Sequence, residues 1–478
     1  MPELTRGRRL LVLAICCMSL LIVGLDNTIV NVALPAIQRD LHASVSGLQW
    51  TISAYTLVLA SLLLLSGSTG DRIGRRRTFQ TGLVIFTLGS LLCSLAPGLG
   101  WLIAFRMVQA IGGSMLNPVA MSIITNVFTE PRERAQAIGI WGGVVGISLA
   151  LGPVVGGALI DSIGWRAIFW INIPVGVAAL VLTALCVPES RAAAPRRIDV
   201  VGQVLVFAFL ATLTYGIIEG PAIGWASPVI VGAFVVAAVA VAALVGYERR
   251  RYQPLIDLRF FSSVPFSSAT VMAVCGFAAL AGFLFLNTLY LQNVREFTPL
   301  HAGIATLPLA VMSVLFAPVS GRWVGARGPR VPLVIAGVGI AAAGLMLTSL
   351  DNHTPITYIL VSYAIFGFGF GWLNAPITNT AVSGMPREQA GVAAAIASTS
   401  RQVGQSLGVA VIGAAVASVM ASMFGSSFAA ASHVGWWIIA GCGFAVLALG
   451  VVSTSAWARH TAAEVVTRTA EPEPAPVG

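Results

Sequence analysis

An aspartate inside an apolar stretch near the N-terminus is the first residue of this sequence that could do chemistry. Asp26 lies in LDNTIVNVALP, residues 25–35, within an apolar run over residues 10–34. A charged aspartate at the middle of a membrane helix costs at least ~2.5–3.5 kcal/mol, so it normally faces a cavity or a partner. Asp26 is therefore a candidate proton site. The alternative is that it lies near a helix end and reaches headgroup water.

A polar stripe follows in the apolar stretch over residues 101–125. Arg106, Gln109, Gly113 and Asn117 are spaced by three, four and four residues, which places them on one face of a helix. A stripe that contains an arginine cannot face lipid at low cost. We therefore expect this face to line a central cavity.

The depths of the acid and the arginine are comparable. Arg106 lies about five residues from the start of its stretch, or ~8 Å at ~1.5 Å per residue. Asp26 lies about nine residues from the end of its own stretch, or ~14 Å. An Asp26–Arg106 pair is therefore allowed by geometry, but the spacing does not show that the two residues touch.

The composition places these residues in a membrane. Hydrophobic residues make up 57% of the 478 residues and charged residues 9%, whereas a soluble globular domain has about 25% charged residues. The chain is therefore predicted to be an integral membrane protein. All 27 basic residues are arginines, which excludes a P-loop lysine and a lysine Schiff base. We expect no enzyme activity and no ATP hydrolysis.

Fourteen stretches are long enough to span a bilayer, which takes about 20 apolar residues. The loops on the side of the N-terminus hold 22 arginines and the loops on the other side hold 3. This asymmetry predicts a multi-pass protein of the inner (plasma) membrane with both termini in the cytoplasm. It also explains the net charge of +9 without nucleic acid as a partner. The predicted spans are 10–34, 47–67, 78–96, 101–125, 136–160, 166–187, 199–219, 228–246, 264–290, 302–320, 331–350, 356–382, 391–420 and 434–456.

An internal repeat relates the two ends of the chain. GSTGDRIGRRR at 67–77 is echoed by GRWVGARGPR at 321–330, an offset of 254 residues. EPRERA at 130–135 is echoed by MPREQA at 385–390, an offset of 255 residues. Each offset covers eight predicted helices, an even number, so the two copies have the same orientation in the membrane.

The repeat predicts an all-α membrane fold with 14 transmembrane helices arranged as 6+2+6. Two pseudo-symmetric six-helix bundles, at residues 1–190 and 263–457, would surround a central cavity. Two extra linker helices are expected at 191–262. Residues 458–478 end in a Pro/Glu run and are expected to form a disordered cytoplasmic tail.

Two glycine-containing motifs are further candidates. The loop after the second span would form a cytoplasmic gate: its glycines allow close backbone approach, and Asp71 would act on the N-terminal end of a neighbouring helix. The alternative is that its arginines only anchor the loop at the membrane surface. The fifth span has small residues at four-residue spacing, which allow close helix packing, and a proline that bends it. The gate residues are Gly67, Gly70, Asp71, Arg72, Gly74 and Arg75, and the residues of the fifth span are Gly146, Gly152, Pro153, Gly156 and Gly157.

Other polar and aromatic residues of the spans are candidates to line the cavity and contact substrate. The alternative is plain hydrogen bonding between helices. Glu219, near the outer end of the seventh span, is expected to be a gate or loop anchor. The five histidines lie in loops or tails and the cysteines lack metal-ligand spacing, so neither a histidine proton relay nor a metal site is expected. The cavity candidates are Asn27, Asn31, Gln49, Trp50, Tyr55, Gln109, Asn117, Asn374, Arg401 and Gln405.

Taken together, these motifs resemble the major facilitator superfamily, in its fourteen-helix branch of drug:proton antiporters. The resemblance covers nearly the whole chain. It rests on LDNTIVNVALP, the GSTGDRIGRRR loop, R-x-x-Q-x-x-G-G in the fourth span, the Gly/Pro-rich fifth span and WRAIFWINIPVG at the start of the sixth. It implies that the loop is a latch that closes the cytoplasmic side and that the fifth span marks an exporter. The second half lacks membrane carboxylates, which argues against highly charged cations as substrates.

The implied function is proton-coupled export of amphipathic drugs or antibiotics by alternating access. Asp26 and Arg106 would couple the protons: protonation of Asp26 would release Arg106, and loss of the proton to the cytoplasm would reset the carrier. The expected partners are a lipophilic small molecule, protons and the bilayer, with a monomeric protein and no cofactor besides the proton motive force. The alternative is a carrier of the same fold for a metabolite, siderophore or lipid. A membrane enzyme or sensor would need a catalytic cluster or soluble domain.

Overall fold

The computed structural model describes residues 5–192, 199–251, 257–383, 385, 390–422 and 427–470. Regular structure in these ranges is helical, and they contain no strand. A 3₁₀ turn (Leu258–Ser262) precedes the tenth helix and a π-helical turn (Tyr290–Val294) extends it. The helices are α1 (Arg6–Leu41), α2 (Val45–Ile73), α3 (Arg75–Ser94), α4 (Leu99–Val127), α5 (Pro131–Ser162), α6 (Ala167–Trp170), α7 (Asn172–Cys186), α8 (Val200–Ile223), α9 (Pro228–Glu248), α10 (Val264–Leu289), α11 (Pro299–Ala305), α12 (Leu307–Arg327), α13 (Arg330–Leu347), α14 (Ile356–Gly371), α15 (Asn374–Val382), α16 (Ala390–Ser422), α17 (Phe428–Ser453) and α18 (Ala456–Ala470).

Thirteen helical segments of the described chain are long and apolar enough to cross a membrane. The chain is therefore a multi-pass membrane protein of helical construction. The remaining predicted span, residues 78–96, coincides with α3, whose first turn carries Arg75, Arg76 and Arg77. These arginines lower the mean hydropathy of α3, and its passage across the membrane remains a prediction.

Three of the spans contain a break between two shorter helices. α6 and α7 are separated at Ile171, α11 and α12 at Thr306, and α14 and α15 at Trp372 and Leu373. The second break precedes Pro308 in the first turn of α12, and a proline there removes a backbone N–H that a continuous helix would need. The first break starts α7 at Asn172, a polar residue that is buried.

The helices pack as two groups in the described structure. α1 to α7, the first group, contact mainly one another, through the pairs α3–α4, α1–α5 and α2–α4. α10 to α17, the second group, do the same through α13–α17, α10–α16 and α12–α14. This pattern agrees with the repeat in the sequence, while the full 6+2+6 arrangement across a membrane stays a prediction.

α8 and α9 form a hairpin at the side of the two groups. α8 packs against α2 of the first group and α16 of the second, and α9 packs on α8. Near one end of α8, the side-chain amide of Gln203 donates to the backbone oxygen of Ser61. Near the other end, the indole N–H of Trp50 donates to Glu219, with 2.7 Å between Nε1 and Oε1. Glu219 is thus an anchor between α8 and α2.

The two groups meet at one face of the molecule. We call the face where α1 begins and α2 ends the arginine-rich face, and the face where α1 ends at Leu41 the opposite face. Among the described residues, the hydrogen bonds that join the two groups lie in the half of the molecule toward the opposite face. They run from Gln292 Nε2 to Val32 O (2.9 Å), from Gln49 Nε2 to Val409 O (3.0 Å) and Ala410 O (2.9 Å), from the Leu300 amide to Asp161 Oδ2 (3.1 Å), and reciprocally between Ser53 and Ser406 (3.5 Å each).

The tail after residue 457 differs from its prediction. Residues 456–470 form α18, so the expected disorder over 458–478 is wrong for this part, and residues 471–478 lie outside the described ranges. α18 buries Ala458, Ala462 and Val465, which are spaced by four and three residues and form one face. The threonine hydroxyl of Thr461 also accepts the Val264 amide at 3.1 Å, which ties α18 to the start of α10. The Pro/Glu run itself begins at residue 471, after the end of α18 and outside the described ranges.

Candidate functional site

Asp26 lies at the centre of a buried polar network in the first group. Its carboxylate accepts hydrogen bonds from the guanidinium of Arg106, from Gln109 Nε2 (2.9 Å) and from Asn172 Nδ2 (3.3 Å). Asp26 is 0% exposed and Arg106 is 1% exposed. The two residues on α1 and α4 that the sequence placed at comparable depth thus form a buried ion pair.

The guanidinium of Arg106 is enclosed on every side by groups that suit its charge. Besides Asp26, it donates to Gln109 Oε1 (2.7 Å) and from Nε to the backbone oxygen of Thr51 (3.4 Å). Its Cζ lies 4.1 Å from the ring centroid of Tyr55, within the range of a cation–π contact. Such a dense set of partners compensates the loss of water around a buried charge.

A second layer of hydrogen bonds holds these groups in place. Ser90 on α3 accepts from Gln109 Nε2 (3.3 Å) and Asn172 Nδ2 (3.1 Å), and its hydroxyl donates to the backbone oxygen of Phe169 (2.9 Å). Asn172 is the first residue of α7, so the break after α6 is what brings its amide to the network. Six helical segments, α1, α2, α3, α4, α6 and α7, therefore meet at this site.

The network can exist in two charge states. As described, the carboxylate of Asp26 balances the charge of Arg106, and both are satisfied by hydrogen bonds. A proton on Asp26 would leave the guanidinium without its counter-charge, and breaking a buried pair in this way costs about 3–5 kcal/mol.

Three of the four residues of the polar stripe of the fourth span are enclosed in this structure. Arg106 and Gln109 are buried in the network, and Gly113 lies against the hydroxyl of Tyr55. The cavity lining expected for the stripe stays a prediction, because an amphipathic face shows which residues share a side of a helix but not what that side contacts. Here the side contacts α1, α2 and α3.

Three cavity candidates on α2 contact residues of other helices. Gln49 is fully buried and donates to two backbone oxygens of α16, so it joins the two groups. Trp50 points to α8, where it bonds Glu219 and lies 6.3 Å from the ring of Tyr215. Tyr55 is 0% exposed and lies against Arg106. Neighbouring helices cover Gln49 and Tyr55, so neither lines an open cavity in this structure, whereas Trp50 is half-buried beside α8.

The remaining candidates are less enclosed. Asn31 is buried and donates to the backbone oxygen of Asn27 at 2.9 Å, and Asn27 itself is half-buried. Asn117 on α4 is half-buried, and its side-chain oxygen has no hydrogen-bond partner among the described residues. In the second group, Asn374 is exposed, whereas Arg401 and Gln405 are half-buried. Their contact with substrate stays a prediction.

The gate loop is bound within the first group. Asp71 accepts from the guanidinium of Arg75 at 2.9 Å, instead of acting on the end of a neighbouring helix as expected. That position is taken by Glu189, whose carboxylate accepts the amides of Arg76 (3.1 Å) and Arg77 (3.3 Å) at the start of α3. Gly74 has φ +128°, a backbone conformation that favours glycine.

The other gate residues complete this picture. Gly67 and Gly70 face Pro118 and Val119 of α4, with Val119 only 3.0 Å from where a side chain on Gly70 would begin. Arg72 is exposed. The described residues of the loop therefore contact α4 and the segment after α7. The role of the loop as a latch between the two groups remains a prediction.

The glycines of α5 lie at close helix contacts. Gly152 and Gly156 face Thr28 and Ile29 of α1. On the adjoining side, the backbone of Pro153 meets Gly303, Gly157 meets Leu300, and Gly146 faces Val314, so α5 also packs against α11 and α12. The predicted close packing is therefore observed, and it occurs both within the first group and where the two groups meet. A role as an exporter signature is not tested by this packing.

Several residues of these sites were not singled out from the sequence. Asn172 and Ser90 belong to the network around Asp26, Glu189 caps α3, and Gln292 joins the two groups. A signal for Asn172 was present, because an asparagine within an apolar span needs a partner. No comparable signal marked Glu189, which lies in a loop where an acidic residue needs no explanation.

The sequence matches the family model of the Major Facilitator Superfamily over residues 16–409. The chain belongs to the Major Facilitator Superfamily. It is 37% identical over 405 residues to the multidrug resistance protein Stp of Mycobacterium tuberculosis (strain ATCC 25618 / H37Rv), covering 85% of this chain and 75% of that protein. It is 38% identical over 409 residues to the tetracenomycin C resistance and export protein of Streptomyces glaucescens, covering 85% and 76%.

A solved structure shows the same fold. A bacterial homologue of the human lysosomal transporter Spinster, in an inward-facing and occupied conformation, superposes with a TM-score of 0.66 at 16% identity, covering 98% of this chain and 100% of that one. The family and its efflux relatives identify the chain as a membrane transporter and not an enzyme.

Proposed function

We propose that this protein is a proton-coupled exporter of amphipathic drugs or antibiotics that works by alternating access. The observation that carries the proposal is the buried Asp26–Arg106 pair, enclosed by Gln109, Asn172 and Tyr55. Asp26 combines a titratable group, a counter-charge and 0% exposure at one point between helices. The multidrug and tetracenomycin relatives support the direction and the substrate class.

The orientation follows from the distribution of arginines. We place the arginine-rich face on the cytoplasmic side of the inner membrane, which puts both termini in the cytoplasm. The groups are then joined at the outer face by Gln49, Gln292 and the Ser53–Ser406 pair. On this orientation the structure represents an inward-facing state with an ionised, paired Asp26, the stage after the proton has left to the cytoplasm.

Proton entry from outside would drive the other half of the cycle. Protonation of Asp26 would release Arg106, weaken the α1–α4 contact and accompany the return from the outward-facing to the inward-facing state. Each proton that moves inward gains ~2.3 kcal/mol per 100 mV of membrane potential, apart from the pH gradient. The drive is thus the proton motive force, and a single chain holds all the residues that the cycle uses, so we propose a monomer.

The test is gradient-driven transport in liposomes. Purified protein is reconstituted with a pH indicator inside the vesicles, and tetracenomycin C or a lipophilic dye is followed while a pH gradient is imposed. Wild-type protein should accumulate the compound at the expense of the gradient, and Asp26→Asn should abolish this. Asp40→Asn is a matched control on the same helix: Asp40 is in an exposed pair with Arg166 at 2.7 Å, and exposed pairs contribute only ~0–1 kcal/mol. Full gradient-driven transport by Asp26→Asn would refute the proposed coupling.

A further inference from the structure

Arg401 on α16 is an arginine within a membrane span that lacks an acidic partner. Its guanidinium donates to the hydroxyl of Thr378 on α15. No carboxylate of the described residues lies within ion-pair distance of it, and its buried Nε has no hydrogen-bond partner there. An unbalanced charge at membrane depth is costly, which makes a functional reason for it the default expectation.

The position of Arg401 is next to the point where the two groups part. It lies five residues before Ser406 on α16, or ~8 Å toward the arginine-rich face at ~1.5 Å per residue. Ser406 and Ser53 form the joining contact nearest to that face among the hydrogen bonds described above. Arg401 is half-buried, and so is Gln405, one helical turn further along, whose side chain makes no hydrogen bond among those given for the described chain. The guanidinium therefore lies on the arginine-rich side of the hydrogen bonds that join the groups.

Aromatic rings flank the charge. The guanidinium carbon of Arg401 lies 5.9 Å from the ring of Phe277 on α10. Phe277 in turn lies 5.3 Å from Phe370 on α14, which stacks on Phe366 at 6.4 Å. The guanidinium thus has an N–H without a hydrogen-bond partner in the described residues, and aromatic rings lie beside it. These surroundings suit a ligand that has an anionic end and an aromatic body.

The described helices around Arg401 supply no acidic partner. Within their bounds, α10 to α17 contain neither aspartate nor glutamate, and the acids of this region lie in the connections between helices. Asp26 is already paired with Arg106. With that pair neutral, Arg401 leaves an excess of one positive charge near the middle of the helices. A cationic ligand would meet repulsion there, whereas an anionic one would supply the missing counter-charge.

We propose that Arg401 binds the anionic group of the substrate, and that the preferred substrates are aromatic compounds with a carboxylate or phenolate. This inference rests on the proposed export function and narrows its substrate class. Guanidinium recognises a planar carboxylate through two parallel hydrogen bonds, so the charge and the fork geometry both contribute. Thr378 holds the guanidinium from the α15 side, and the rings of Phe277 and Phe370 contact the aromatic body.

The test compares three ligands that share a naphthalene ring and differ in charge. 2-Naphthoate, 2-naphthamide and 2-naphthylmethylammonium are titrated calorimetrically into the full chain in nanodiscs of zwitterionic phosphatidylcholine. Wild-type protein should bind the naphthoate about tenfold or more tightly than the amide, the size expected for hydrogen bonds to a charged group. Arg401→Gln should abolish this preference, and Arg401→Lys should keep part of it, because lysine retains the charge without the fork.

Thr378→Val removes the hydrogen bond that holds Arg401 but not the charge, so it should lower the preference less than Arg401→Gln does. Equal affinity for naphthoate and naphthamide, or a preference that survives Arg401→Gln, would overturn the inference. Nanodiscs that contain anionic phosphatidylglycerol separate a second source of the same chemistry. If that lipid competes with naphthoate in wild type but not in Arg401→Gln, the occupant is a lipid headgroup and the substrate assignment is wrong.

The two proposals fail in different ways. Gradient-driven transport of neutral or cationic compounds without any preference for anions would refute the role of Arg401 and leave proton-coupled export intact. Anion binding that depends on Arg401, without gradient-driven transport of any compound in liposomes, would support the binding site and refute the proposed export. The melting temperature of each variant in the same nanodiscs shows whether it is folded.

Discussion

Arg106 in the first group and Arg401 in the second are the same residue type in opposite surroundings. Arg106 is 1% exposed and paired with Asp26, and Gln109, the Thr51 carbonyl and the Tyr55 ring complete its surroundings. Arg401 is half-buried and has one hydroxyl partner. A balanced, enclosed charge suits a proton-dependent change of packing, and an unbalanced, accessible charge suits a ligand. On the two proposals, the first half of the repeat couples transport to protons and the second half binds the substrate.

The largest expected effect is on stability, where the two arginines should differ in kind. Arg106→Gln leaves the buried carboxylate of Asp26 without its counter-charge and should cost about 3–5 kcal/mol. Arg401→Gln removes a charge that no acid balances and should change stability by less than ~1 kcal/mol or raise it. Thermal unfolding in nanodiscs measures both. The double variant Asp26→Asn/Arg106→Gln should recover most of the loss, and equal losses for the two single variants would end the comparison.

The second expected effect comes from giving Arg401 the partner it lacks. Thr378→Asp places a carboxylate where the hydroxyl now accepts from the guanidinium. The new ion pair should reduce naphthoate affinity about tenfold, because the hydrogen bonds of the guanidinium are then satisfied within the protein. Thr378→Asn, of the same size but neutral, should not reproduce the loss. Unchanged naphthoate affinity in Thr378→Asp would contradict the proposed role of Arg401.

A smaller effect is expected at Asn172, which belongs only to the enclosed site. Asn172→Ala removes one donor from Asp26 and one from Ser90 while the remaining partners stay. The loss in unfolding free energy should be about 1–2 kcal/mol, the range of one or two hydrogen bonds. Asn27→Ala, at a half-buried site on α1, should lose less than ~0.5 kcal/mol. If the two variants were equally stable, the network would be less tightly held than its geometry indicates.

The smallest effect concerns Tyr55. Its hydroxyl has no hydrogen-bond partner among the described residues, whereas its ring lies 4.1 Å from the Arg106 guanidinium carbon. Tyr55→Phe keeps the ring and should change stability by less than ~0.5 kcal/mol. Tyr55→Leu removes the cation–π contact and should cost ~0.5–2 kcal/mol more. A large loss in Tyr55→Phe would show that the hydroxyl, and not the ring, supports Arg106.

The sequence was most informative where the energetic cost of a charge within an apolar span could be used. Asp26 and Arg106 were found because charges inside apolar spans are expensive. Their comparable depth along helices of known rise allowed a pair but did not show that the two residues touch. The even number of predicted helices between the repeated loop motifs predicted that the two copies have the same orientation. Residues that only share a helix face were harder: Gln49, Trp50 and Tyr55 were all assigned to a cavity, yet they contact α16, α8 and Arg106.

The failures have a common physical cause. A helical period of 3.6 residues shows which side chains point the same way, but the partner of that side is set by packing between distant segments. Asn172 reaches Asp26 only because the chain breaks between α6 and α7. In the tail, the acidic and proline-rich end led to a prediction of disorder for the whole segment. The alanine-rich part before it has a high helix propensity and an apolar face that packs on α10.

The most direct test of the account is a comparison of two transport modes in Asp26→Asn. In liposomes without a gradient, exchange of labelled for unlabelled tetracenomycin C measures binding and movement alone, and with a pH gradient the same vesicles measure coupling. We predict that Asp26→Asn exchanges substrate but gains no accumulation from the gradient, while wild type does both. Gradient-driven accumulation in Asp26→Asn at the wild-type level would contradict the central claim that the Asp26–Arg106 pair couples transport to protons.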